Sequence, residues 1–164
     1  MILGMSVPTF TTFHVILSLV GIGAGLVVLI GMFASKKLEA WTALFLGTTV
    51  LTSVTGYFFP RDQILPSHIV GAVSLVVLAV ALYALYARHL AARWRWIYVV
   101  SAVASLYLNV FVLVVQAFAK LEPLKALAPT QAEPPFVIAQ GVVLLLYIAL
   151  GILAVKKFHP RAGT

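Results

Sequence analysis

The sequence predicts an all-α integral membrane protein, an antiparallel bundle of five transmembrane helices with the N-terminus outside and the C-terminus inside. Three observations predict it. Of 164 residues, 63% are hydrophobic and 9% charged, with a mean hydropathy of +1.11; charged residues alone supply about a quarter of an ordinary soluble domain. The apolar residues gather in five runs, Phe10 to Ala34, Trp41 to Phe59, His68 to Ala87, Trp96 to Ala119 and Phe136 to Val155. Each run is close to the roughly 20 residues that cross about 30 Å of hydrocarbon at about 1.5 Å per residue. The cations are also asymmetric. With five crossings, Lys36, Lys37, Arg88, Arg93, Arg95, Lys156, Lys157 and Arg161 fall on one side and Arg61, Lys120 and Lys125 on the other, eight of the eleven Lys and Arg against three. Basic residues concentrate on the cytoplasmic side, which sets the orientation.

The runs read as helices because lipid offers backbone groups no partner outside their own segment or a closed barrel. Barrel strands alternate apolar and polar residues, and Val76 to Ala84 and Val142 to Leu150 do not. The first helix, about 10–34, reads as a mature span: it lacks a basic leading region and its apolar core is too long for a secretory signal. The others are placed at about 41–59, 67–88, 95–119 and 135–157, so that 1–164 forms one transmembrane domain. Trp94 and Trp96, interleaved with Arg93 and Arg95, suit the inner membrane–water interface. The outer loop 120–135 holds Pro123, Pro129, Pro134 and Pro135 around Leu121 to Ala128, either a short amphipathic turn on the outer surface or a stiff linker. The strings Thr12–Leu19 and Leu65–Gly71 resemble, in a general way, small bacterial inner-membrane proteins. That resemblance implies a multi-pass inner-membrane location and no activity.

Small and polar residues mark the faces that should meet inside the bundle, where close backbone approach and interhelical hydrogen bonds drive association. They are Ser18, Gly21 and Gly25 on the first helix and Thr48, Thr52 and Thr55 on the second. The fourth offers Ala102, Ser105, Asn109 and Gln116, and the fifth Gln140, Leu144, Tyr147, Gly151 and Ala154. His14 shares the first of these faces, and His68 leads a stripe through Gly71, Ala72 and Leu75. Both histidines lie near the outer ends of helices running in the same direction, so their depths should agree. Gln116 and Gln140 reach the same level, making a polar layer in the outer leaflet.

Ionisable residues in hydrocarbon are functional candidates by default. Two neutral imidazoles at one depth are suited to ligate a haem b iron from opposite sides, His14 and His68 being the metal ligands, with Gly21 and Gly71 leaving room for the ring. Arg61, Lys120 or Lys125 would then meet the propionates, and Gln116 or Gln140 would orient an imidazole. The same His and Gln residues also suit a quinone or other lipid-like ligand, or no cofactor at all if the histidines sit at headgroup level. A lone zinc ion lacks ligands, since the nearest carboxylates, Asp62 and Glu133, are in loops.

Absences exclude more. No Asp, Glu, Lys or Arg lies well inside the five runs, which argues against an ion-coupled carrier or charged pore. With no cysteine and no hydrolase or phosphate-binding motif, thiol chemistry and hydrolysis are also set aside. The cations flank apolar spans instead of forming a patch, so nucleic acid is not an expected partner. The expected partners are the bilayer and, through the glycine-bearing first helix, other membrane subunits or a second copy. Three function classes follow: a one-haem or quinone-interacting redox protein, a non-catalytic accessory or assembly subunit of a membrane complex, and a small-ligand binding or transport protein.

Overall fold

A computed structural model describes the backbone of residues 1–60 and 66–160. The chain is all-helical, with no strand among the described residues: α1 (Val7–Phe33), α2 (Glu39–Gly56), α3 (Pro66–Leu82), α4 (Trp94–Lys120), the short α5 (Glu122–Leu127) and α6 (Pro134–Lys157). A π-helical turn, Tyr83–Ala87, extends α3. Four helical segments, Val7–Phe33, His68–Ala87, Trp94–Lys120 and Pro134–Lys157, are long and apolar enough to cross a membrane. The predicted all-α membrane class is thus found, with four such segments among the described residues where five were expected.

The difference lies in α2. Its 18 residues begin at Glu39 and include Thr42, Thr48, Thr49, Thr52 and Thr55, so it is more polar than its neighbours. Back-bonding to the preceding turn offsets part of the cost of its hydroxyls, with Thr48 Oγ1 donating to Leu44 O at 2.6 Å and Thr55 Oγ1 to Leu51 O at 2.7 Å. The helix ends at Gly56, before the expected Phe59; Pro60, which has no N–H to donate to Gly56 O and which restricts Phe59, bars its continuation. Phe59 then folds back on α1, its ring 5.1 Å from that of Phe10.

Packing follows the small residues. α4 packs against α1, α3, α5 and α6; α1 also packs against α2 and α6; α2 lies against α1 and α3. Buried Gly21, Ala24, Gly25, Val28, Leu29 and Met32 form the inward stripe of α1, at the three- and four-residue offsets of one helical face. A Cβ on Gly25 would lie 2.6 Å from Leu106 Cδ1 and 2.9 Å from the Phe45 ring. The Leu106 side chain of α4 and the Phe45 ring of α2 therefore occupy the space that a side chain at Gly25 would need. On α6, Tyr147 and Ala154 are buried, but Leu144, expected inside, is exposed; α6 lies at the bundle's margin, and most of its apolar surface faces outward.

The ends of the helices meet in two layers. At one end Ser35, with φ of 55°, closes α1 in a left-handed cap in which Lys36 N–H donates to Gly31 O at 2.9 Å. Leu38 then folds back over Gly31, where a Cβ would stand 2.7 Å from Leu38 Cδ1. His159 N–H donates to Ser35 Oγ at 2.9 Å, and Arg95 donates to Val155 O at 2.9 Å and Phe158 O at 2.6 Å. These carbonyls end α6 without intrahelical partners, and a cation suits that pole of the helix dipole. Arg95→Ala should destabilise the bundle by roughly 1.5–3 kcal/mol, the usual range for hydrogen bonds to a charged group. Thermal unfolding in detergent checks this, and Arg95→Lys should recover only part of the loss.

At the other end α5 packs on α4 alone, with no buried residue, so the segment expected as a turn or linker is a short surface helix. Residues 128–133 form an ordered link: Gln131 Nε2 donates to Val115 O at 2.9 Å, and the Glu133 carboxylate accepts from Thr130 Oγ1 at 2.9 Å and Ala132 N–H at 3.1 Å. Desolvation pushes the Glu133 carboxyl up, but bonds from Thr130 and the backbone outweigh it and hold the group below the usual carboxylate range. This contribution is complete above the unfolded value of about 4.3 and fades as pH falls through the lower folded value. Amide protection at Thr130 and Ala132, taken relative to the intrinsic exchange rate at each pH, should fall at such acid pH, and Glu133→Gln should remove that pH dependence.

Candidate functional site

His14 sits two turns into α1, half-buried against the end of α2. Its Nδ1 lies 2.8 Å from Thr55 Oγ1, its ring meets Phe59 edge-on at 5.2 Å, and a Cβ on Gly56 would stand 3.8 Å from its Cε1. Thr55 has one hydroxyl proton, which its 2.7 Å bond to Leu51 O uses. Its remaining lone pairs must then accept, so the proton of the shared bond belongs to His14. For a neutral ring this hydrogen-bond pattern is satisfied by the tautomer with hydrogen on Nδ1 and a lone pair on Nε2.

His68 lies half-buried at the start of α3, stacked on Tyr57 with centroids 5.5 Å apart and 16° between planes. The Tyr57 hydroxyl donates to His68 O at 2.7 Å. A Cβ on Gly71 would come within 3.2 Å of that hydroxyl oxygen, so Gly71 makes room for Tyr57. Thr55 and Tyr57 are two residues apart, about 200° around a helix. The two imidazoles therefore engage nearly opposite sides of the end of α2, which packs between α1 and α3.

Of the other predicted site residues, Gln140 Nε2 donates to Phe111 O at 3.1 Å while its buried Oε1 has no partner. Gln116 is exposed on α4, seven residues beyond Asn109. Arg61 lies outside the described residues. No group of three or more His, Asp or Glu residues that could hold a metal ion occurs among the described residues.

Deeper in the bundle, polar groups converge on Gly21. A Cβ there would stand 3.1 Å from Thr48 Oγ1, 3.3 Å from Thr49 Oγ1 and 3.7 Å from Asn109 Nδ2, and Asn109 donates to Thr49 at 3.1 Å. This node joins α1, α2 and α4. Thr52 lies between it and Thr55 on the same α2 stripe, its buried hydroxyl without a partner. Sequence reasoning found this stripe but missed Thr55 as the partner of His14. The signal was available: α1 and α2 run antiparallel through a short loop, so the start of one must meet the end of the other. Phe59 and Tyr57 were hidden because the apolar run continues past the helix end.

Two cavities lie away from His14. One, of about 480 Å³, is an apolar groove between α4 and α6 lined by residues such as Val100, Tyr107 and Ile148. The second, of about 460 Å³, opens at the opposite end of the bundle beside Lys36 and His89. Compared with known proteins, the chain matches no family model, no curated protein and no solved structure.

Proposed function

We propose that this chain is a small multi-pass protein of the cell inner membrane, with five antiparallel crossings and the N-terminus outside, that binds a quinone-class lipid in its reduced, quinol form at His14. The observation that carries the ligand assignment is the 2.8 Å bond between His14 Nδ1 and Thr55 Oγ1. With Nδ1 donating, a neutral His14 offers only the Nε2 lone pair. It can accept from a quinol hydroxyl but has no proton to give a quinone carbonyl. A half-buried imidazole on a lipid-spanning helix is reached from the bilayer itself, where quinols dissolve.

The alternative of a haem held by both histidines is less well supported. Their rings engage opposite sides of α2, and the space beside Gly71 and Gly21 is taken by Tyr57, Thr48 and Thr49. The fifth crossing is supported by the position of α2, which packs against both α1 and α3 and is about 27 Å long at about 1.5 Å per residue. Orientation rests on the cation asymmetry.

Protein purified from its own membranes in mild detergent should release a quinone-class lipid on solvent extraction and show no Soret band. A Soret band lost in both His14→Ala and His68→Ala would replace this reading with haem ligation. The absence of native cysteine permits a topology test. An impermeant maleimide should label Ala126→Cys in intact cells and Ala40→Cys only after lysis; the reverse pattern would invert the orientation.

A further inference from the structure

The cavity of about 460 Å³ at the cation-rich end has the size of a small-molecule site. Its lining divides by depth. Val28, Met32, Tyr98 and Phe158 are buried and, with the buried Thr42 beside Tyr98, make a mainly apolar floor, whereas Lys36, Lys37 and His89 line it from exposed positions. Glu39 opposes one lysine charge, leaving a net positive mouth.

The rim is held by costly backbone. His89, Leu90 and Ala92 adopt φ of 47°, 58° and 48°, a left-handed region that non-glycine residues favour little. They follow directly on the π-helical turn, in which Arg88 N–H donates to Tyr83 O at 3.0 Å. Both features recur where a fold shapes a ligand site. They place His89 on the lining of the same cavity as Lys36 and Lys37 of the α1–α2 loop.

From the cavity, its apolar floor and its cationic rim, we infer that this end of the bundle binds the phosphate headgroup of an anionic phospholipid from the cytoplasmic leaflet, with the glycerol and upper acyl carbons against the floor. Lys36 and Lys37 supply charge to the phosphate, and the His89 ring N–H supplies a hydrogen bond. A free phosphate would satisfy the rim but leave the apolar floor unfilled. The inference rests on the inner-membrane orientation proposed above and is independent of ligand binding at His14.

The test uses the full-length protein in neutral detergent, with binding read by native mass spectrometry against phosphatidylglycerol, phosphatidylcholine and inorganic phosphate. Phosphatidylglycerol should bind roughly tenfold more tightly than phosphatidylcholine, as expected of two lysines near a lipid phosphate. The Lys36→Gln/Lys37→Gln variant should lose that preference. Lys156→Gln/Lys157→Gln, which removes equal charge from the end of α6 outside this cavity, should keep it. Helical content by circular dichroism confirms that both variants fold. Equal binding of the two lipids, equal loss in both variants, or competition by inorganic phosphate at the concentration of the lipid would overturn the assignment. None of these readouts depends on quinol, so failure here and failure at His14 are distinguishable.

Discussion

Replacing Gly25 with leucine should unfold the bundle or leave it unable to pack α1 against α4. Even a single Cβ at this position would stand 2.6 Å from Leu106 Cδ1 and 2.9 Å from the Phe45 ring. Both neighbours are 1% exposed, so neither has open space into which to turn. Overpacking of this kind costs about 1–3 kcal/mol for a few methylenes, and a leucine adds three carbons beyond the Cβ. In lipid the loss is compounded, because close backbone approach is itself a main source of helix association. Gly23→Leu provides the control, since a Cβ there meets nothing within 4 Å. Thermal unfolding in detergent should separate the two variants clearly; equal stability would show that α1 and α4 do not meet at Gly25.

His14→Phe should weaken quinol binding roughly ten- to a hundredfold while leaving the bundle folded. Phenylalanine keeps a ring against Phe59 and Gly56 and removes both nitrogens. Thr55 remains satisfied because its hydroxyl already donates to Leu51 O. The ligand hydroxyl loses its acceptor, and an unpaired buried polar group costs about 1–3 kcal/mol, or roughly ten- to a hundredfold in affinity. Thr55→Val acts one step further away. It removes the acceptor that holds the Nδ1 proton, so the imidazole is free to change tautomer and the preference for quinol over quinone should narrow. Titration of each variant with a short-chain quinol and its quinone measures both effects. Undiminished quinol binding by His14→Phe would exclude His14 as the site.

The membrane class was legible in the sequence because it depends on composition and on run length, both of which survive without knowledge of contacts. So were the inward glycines of α1 and the threonine stripe of α2, since helical spacing alone puts them on one face. The end of α2 was not, because Tyr57, Phe58 and Phe59 are as apolar as the helix they follow, and only the local backbone shows that they turn away. The surroundings of His14 and His68 were not legible either, for a topological reason. Matched depth on helices running the same way says nothing about what stands between them, and an antiparallel neighbour, α2, does. The left-handed residues at 89, 90 and 92 carry no glycine signal, so the cation-rich cavity they border was invisible until the backbone was described.

The proposed quinol site requires that Thr55 hold His14 as an Nδ1–H tautomer whose Nε2 accepts a hydrogen bond. Nitrogen-15 spectra of histidine-labelled protein report it directly, with His14→Phe assigning the signals. At neutral pH His14 should show one protonated nitrogen and one bare nitrogen, the bare one shifting when quinol is added and not when quinone is. A His14 ring protonated on Nε2, or a bare nitrogen indifferent to quinol, would contradict it.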